Sequence, residues 1–225
     1  MIRHLNADIS FCELDGRLFF LDLKRDRYFQ LSATMERRFL SYLEAPDDAS
    51  ADVSELVKHN LLLQTTAATS DRFAADITLP SQSVLEMPRS DRRIALDIVR
   101  DVFFVVATMR WQLKMRRLKA TLQALSDYRY TRSSLLASTE PRFKQSLSEA
   151  AMAFNHIRPY VPIETCCLLD SLSMVKFLAK RGLHGHLVMA VACDPFSAHA
   201  WVQHGSLVLN DTVGAAQAHA PIRVI

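Results

Sequence analysis

The sequence predicts an α+β fold in two domains. Three observations carry this. The first stretch, to about residue 63, reads as short strands joined by turn signals and then short helices. Residues 64–90 are rich in Thr, Ser and Ala, contain Pro80 and Pro88, and show no sustained periodicity. Beyond them, long helical patterns give way to strands near the C-terminal end. Charge divides along the same line. Residues 1–85 carry 9 Lys/Arg against 13 Asp/Glu, and residues 86–225 carry 18 against 11.

Ile9 to Leu14 alternates apolar and polar residues, as a half-buried strand does. Asp15-Gly16 is a hairpin signal, and Arg17 to Leu23 (RLFFLDL) is the returning strand. Lys24-Arg25-Asp26 makes a second turn into Arg27 to Leu31 (RYFQL), a third strand. Ser32 is an N-cap; Glu36 stands one residue beyond capping-box spacing. The helix from Ala33 to Leu43 carries Met35, Phe39, Leu40 and Leu43 on one stripe, and a second helix is expected from about Ala51 to His59, before Leu61-Leu62-Leu63. The domains are placed at 1–75 and 89–225, with a linker at 76–88.

The second domain opens on one long helical pattern, about Asp91 to Leu125, whose apolar face is broad through Val102 to Met109 (VFFVVATM), as in a buried helix. A further helix spans about Pro141 to Arg158 and is broken by Pro159 and Pro162. Another runs from about Cys166 to Arg181 and stops at Gly182. His186 to Ala192, His199 to Val202 and Leu207 to Leu209 read as strands. Arg89 to Arg132 holds 11 Lys/Arg against 4 Asp/Glu, read first as a solvated helical face and second as a docking surface. Basic residues lie among acids and no base-reading motif is present, so nucleic acid is not an expected partner. The longest apolar run is far too short to span a bilayer, and no membrane partner is expected. MIRHLNADIS lacks an apolar signal core; with four cysteines in no CxxC or zinc-finger spacing, the chain is expected in the cytoplasm with reduced thiols and no metal.

The chemistry-bearing stretch is CDPFSAHAWVQHGSLVLND, Cys193 to Asp211. His199 and Asp211 could polarise an attacking group if a nucleophile comes to them. ETCCLLDSLSMVKFLAKRG supplies thiols at a helix start, where unpaired N–H groups favour a thiolate and could hold an oxyanion. Cys166 and Cys167 point about 100° apart along a helix, so only one can face the histidine. The residues alone do not choose between them, and a cysteine at a helix start is more often a small buried hydrophobe. Strand parity sharpens the reading. A two-residue loop at His204-Gly205 sets His199 opposite Asn210 and turns Asp211 to the other face. A three-residue loop, Gln203-His204-Gly205, pairs Val202 with Ser206 and brings Asp211 to the face of His199. The triad reading therefore predicts the three-residue loop.

These residues resemble a known family. CLLDSLSMVKFLAKRGLHGHLVMAV followed by DPFSAHAWVQHGSLVLND is similar to the transglutaminase-like peptidase of lasso-peptide biosynthesis, the B protein, over about 45 residues. That family shows C-L-x-x-(S/A)-L, R-x-G, P-F-x-(A/S)-H-(A/S)-W-V and a terminal N-D. The resemblance implies a transglutaminase- or papain-like domain with Cys167 as nucleophile, His199 as acid–base and Asp211 orienting the imidazole. LFFLDLKRDRYFQLSATMERRFLSYL resembles the winged-helix, PqqD-like element that binds the leader of a ribosomal precursor peptide. It implies that Arg27, Tyr28, Phe29, Gln30 and Leu31 line the leader groove, the leader adding as a strand.

The resemblance further implies cleavage of the leader–core bond, a partner cyclase (asparagine-synthetase-like) that closes the macrolactam, and ATP for the coupled reaction. No Gly-rich phosphate loop places ATP on this chain. The competing expectations are a leader-binding scaffold with an inert thiol, and acyl transfer to an amine. Trp201 is read as core, Asn210 as orienting Asp211 or capping the strand end, and Asp194-Pro195 as a turn. Cys12 and Cys193 are read as strand-buried thiols, and His184, His186, His204 and His219 as surface or loop residues.

Overall fold

The computed structural model describes residues 2–45, 53–65, 77–88, 95–132 and 141–225. The chain divides into two compact units, Met1–Ala75 and Asp76–Ile225.

In the first unit, β1 (Ile2–Leu5), β2 (Ile9–Leu14), β3 (Arg17–Asp22) and β4 (Arg27–Phe29) precede α1 (Ala33–Glu44), α2 (Ser54–Lys58) and β5 (Leu62–Thr65). β2, β3 and β4 form the expected antiparallel sheet in that order. Asp15 and Gly16 both take positive φ (51° and 71°), the type I′ geometry that the Asp-Gly pair predicts. Ser32 caps α1 by accepting from the Met35 N–H. Glu36 takes no part in that cap. Its Oε1 accepts the Leu18 N–H across to β3 (3.0 Å). Phe20, Phe39, Tyr42, Leu56 and Leu62 make the core. Phe39 meets Phe20 and Phe11 edge-on, with centroids 5.2 and 5.0 Å apart. β1 is an addition to the expected elements, and it pairs with β5 in a separate two-stranded ladder.

The second unit comprises β6 (Gln82–Ser83), α3 (Leu96–Met115), α4 (Leu118–Arg132), α5 (Pro141–Ile157), α6 (Cys167–Ala179), β7 (His186–Cys193), β8 (Phe196–His204), β9 (Leu207–Val208), α7 (Val213–Gln217) and β10 (Ala220–Val224). Its five strands run β10-β7-β8-β9-β6. α6 is buried nearly all round, through Leu169, Leu172, Met174, Phe177 and Leu178, and packs on β8 and on α3, α4 and α5. The chain leaves α6 through Gly182 at φ 69°, the left-handed stop that the sequence marks.

Three expectations are corrected. The long basic helix is two helices: Arg116 turns extended (φ −128°, ψ 154°) between α3 and α4, and the expected start at Asp91 lies outside the described residues. The 76–88 linker is, where described, built into the second unit, because β6 pairs in parallel with β9. The β8–β9 loop is Gly205-Ser206, not Gln203-His204-Gly205: Gln203 pairs with Val208 and His204 with Leu207. Gly205 at positive φ (57°) stands first in a two-residue loop, as a type II′ hairpin requires, rather than last in a three-residue one.

Candidate active site

Three elements bring the predicted catalytic residues together. Cys167 is the first residue of α6, after Cys166 as N-cap. His199 lies half-buried in β8, opposite Ala190. Asp211 follows β9. His199 Nε2 hydrogen-bonds Asp211 Oδ2, and the Cys167 thiol stands close enough to the His199 ring for the two to shift each other's titration. Nδ1 is therefore the ring nitrogen left for the thiol. Cys166 is exposed and Cys167 half-buried, and of the two thiols it is that of Cys167 that His199 lowers.

The register found for β8 and β9 would, extended further, set Asp211 opposite Ala200 and on the wrong face. The strand does not extend. Leu209 N–H still bonds Val202 O (2.8 Å), but the Val202 N–H is taken by the Asn210 side chain (2.7 Å) instead of a backbone carbonyl. The ladder ends there, and Asp211 is released from strand parity. Asn210 thus caps the strand end. Its amide also donates to Ser171 Oγ (2.9 Å), and Ser171 donates to Ala200 O (3.0 Å), tying the loop to the helix that carries Cys167. Asn155 of α5 holds Leu209 O (2.7 Å). Ser171 occupies the Ser/Ala position of the helix motif; nothing in the sequence pointed to Asn155.

Electrostatics follow from these contacts. The hydrogen bond from His199 holds the Cys167 thiol below its ordinary value, against the opposing effect of burial, and the first-turn backbone at Leu168 adds to the lowering. The Asp211 carboxylate, then the thiol, push the His199 imidazole up to about 9. The two shifts run in the directions that favour a thiolate beside an imidazolium. His219, read as a surface or loop residue, lies in the bend after α7 and against His199, with ring centroids 4.9 Å apart, and meets Ser197 Oγ at 3.1 Å. Trp201 is buried, as expected, with its N–H on Gln203 Oε1 (2.8 Å), and its ring lies 6.1 Å from that of His199.

The loop entering α6 is fixed by Arg158. Its guanidinium is buried, pairs with Asp170 (2.6 Å), and donates to the carbonyls of Ile163 and Glu164 (3.0 and 3.1 Å). Burial raises the Asp170 carboxyl despite this partner. Cys12 is buried as expected, which pushes its thiol up to about 11, whereas Cys193 is only half-buried.

Of the residues expected to meet a leader, Arg27, Phe29, Gln30 and Leu31 line a groove of about 900 Å³ on the first unit, with Met35 and Leu63. Phe29 also stacks on Phe20 (5.3 Å), so its ring faces the core; Tyr28 is not part of the lining. β4 is an edge strand of its sheet. Among the described residues no group of three or more His, Cys, Asp or Glu could hold a metal ion, and no helix is long and apolar enough to cross a membrane.

A transglutaminase-like superfamily model matches residues 109–224, just over half of the chain and all three residues of the thiol site. The chain belongs to the transglutaminase-like superfamily. It is also 40% identical over 45 residues to the microcin J25-processing protein McjB of Escherichia coli. That match spans 20% of this chain and 22% of McjB. No solved structure matches. The resemblance to the transglutaminase-like proteins of lasso-peptide biosynthesis therefore stands.

Proposed function

We propose that the chain is the leader peptidase of lasso-peptide maturation, acting through Cys167, His199 and Asp211. The observation that carries the reading is the contact of His199 with Asp211 beside the Cys167 thiol at the start of α6. The resemblance to McjB, a processing protein for microcin J25, supports the substrate class. Cys167 Sγ attacks the carbonyl at the leader–core junction, and the oxyanion is met by first-turn N–H groups of α6, which have no intrahelical partner. The His199 imidazolium gives its proton to the departing core amine as the C–N bond breaks. The leader remains as a thioester on Cys167. Neutral His199 then takes a proton from water, the hydroxide adds to the thioester, and the thiolate leaves. Asp211 fixes the imidazole tautomer and stabilises its charged form throughout.

The first unit is proposed to bind the leader along β4 and its groove, through Arg27, Phe29, Gln30 and Leu31, as an added strand with side-chain pockets. The freed core passes to a partner cyclase, and ATP serves the coupled reaction there. The test is mass spectrometry of a precursor incubated with the protein, the cyclase and ATP. Cleavage is expected with wild type and Cys166→Ala and not with Cys167→Ala. Equal processing with Cys167→Ala would overturn the peptidase reading and leave a leader-binding scaffold.

A further inference from the structure

We propose that residues 77–88 are a brace for the active site, in which Ser83 and Glu86 are positioning residues that hold the Asp211 loop against His199. This rests on the peptidase reading for the role of Asp211, although the contacts do not depend on it.

Asp211 sits beyond the last ladder pair of β9, so no sheet neighbour fixes its backbone. The contacts from Asn155, Asn210 and Ser171 anchor the loop at Leu209 and Asn210, before the aspartate. What holds Asp211 itself and the residues after it comes from 77–88. Ser83 Oγ donates to the Asp211 carbonyl and accepts from the Leu85 N–H (3.0 Å). Glu86 Oε1 accepts from the Val213 N–H (3.0 Å). Gln217, at the end of α7, donates to Pro80 O (2.8 Å).

The segment is itself fastened to the hairpin. Ser81 and Gln82 N–H groups bond Ser206 O (2.9 and 3.2 Å), and Gln203 Nε2 donates to Thr78 O (2.6 Å). The Asp211 carboxylate has little freedom once its backbone is set, because Oδ1 accepts from the next N–H, Thr212 (2.7 Å), and Oδ2 meets His199. Its aim therefore follows the carbonyl of residue 211 and the N–H of residue 213, and these are the two groups that Ser83 and Glu86 hold. A serine suits the first position because one buried hydroxyl must both donate and accept.

The test reads the thiol directly and needs no peptide substrate. The full chain in a Cys166→Ala background is alkylated with iodoacetamide across pH, and modification of Cys167 is followed by mass spectrometry. Ser83→Ala, Ser83→Thr and Glu86→Ala are compared with the parent. The ionisable and charged side chains around the site are His219 against His199, Glu86 at Val213, and Asp170 on the first turn of α6 with its partner Arg158; the Ser83 substitutions change none of them. Ser83→Ala is expected to move the alkylation midpoint upward by about one pH unit, roughly tenfold slower modification below it, because a misaimed Asp211 no longer supports the imidazolium. Ser83→Thr keeps the hydroxyl and should retain the parent profile. Glu86→Ala should shift in the same direction by less.

Profiles of Ser83→Ala and Glu86→Ala that coincide with the parent would overturn the brace, as would a Ser83→Thr profile displaced as far as Ser83→Ala. Glu86 is exposed, so its variant decides the matter should Ser83→Ala fail to fold. A shifted profile upholds the brace even where no precursor is cleaved, and an unshifted one sinks it even where cleavage is seen.

Discussion

Replacing Asp211 by Asn removes the charge that keeps His199 protonated and leaves a side chain of the same shape. His199 rises from 6.5 to about 9, with the carboxylate as the largest cause and the Cys167 thiol next. A shift of that size corresponds to roughly 3 kcal/mol of preference for the imidazolium. Both side chains keep about a fifth of their surface exposed, at 23% and 19%. Solvent screening and the thiol's share reduce the carboxylate's part to about 1–2 kcal/mol.

The sign is fixed by linkage. A histidine raised on folding stabilises the fold fully below its unfolded value and loses that contribution as pH rises through its folded value. Cys167, lowered on folding, contributes in the opposite sense, so the comparison is Cys167→Ala against Cys167→Ala/Asp211→Asn. Both tryptophans, Trp111 and Trp201, lie in the second unit, so denaturant unfolding followed by their fluorescence reports that unit alone. The double variant should be less stable by about 1–2 kcal/mol below pH 6.5, and the gap should narrow as pH rises toward 9. A gap that is constant with pH, or that widens as pH rises, would refute the ion pair.

Arg158→Ala leaves the half-buried Asp170 without its partner and frees the Ile163 and Glu164 carbonyls, and should cost about 3 kcal/mol by the same fluorescence assay. Asn210→Ala strips the Val202 N–H and Ser171 of their partner; a loss of about 1–3 kcal/mol is expected, with slower Cys167 alkylation at neutral pH because the loop before Asp211 loosens. In the first unit, Phe39→Ala should cost about 3–5 kcal/mol by circular dichroism melting, while tryptophan fluorescence of the second unit stays unchanged.

Much of the site is legible in the chain because its signals are local. A thiol at a helix start, a glycine just past that helix, an Asp-Gly turn and a serine N-cap each act within a few residues. The structure shows all four where the sequence places them. Sequence and structure part where a distant partner decides the outcome. The three-residue β8–β9 loop follows only if strand parity carries through to Asp211; the fold reaches the His199–Asp211 contact by ending the ladder at Asn210 instead. Ser83 and its neighbours look like linker because a two-residue strand has no period to detect, and β6 exists only because β9 is there to pair with it. His219 looks idle in the sequence because its neighbour His199 is 20 positions away along the chain.

By itself, then, the sequence determined the two-part organisation, the hairpin β2–β3, the central helix and the three residue types that meet at its start. Backbone propensity, caps and apolar period act over one or two turns and are written in adjacent residues. Tertiary structure decided which thiol faces the imidazole, how Asp211 escapes the strand's alternation, and that residues 77–88 belong to the site. Those outcomes rest on single hydrogen bonds between segments up to 137 residues apart. Such bonds form only after the core has set the two chain segments side by side.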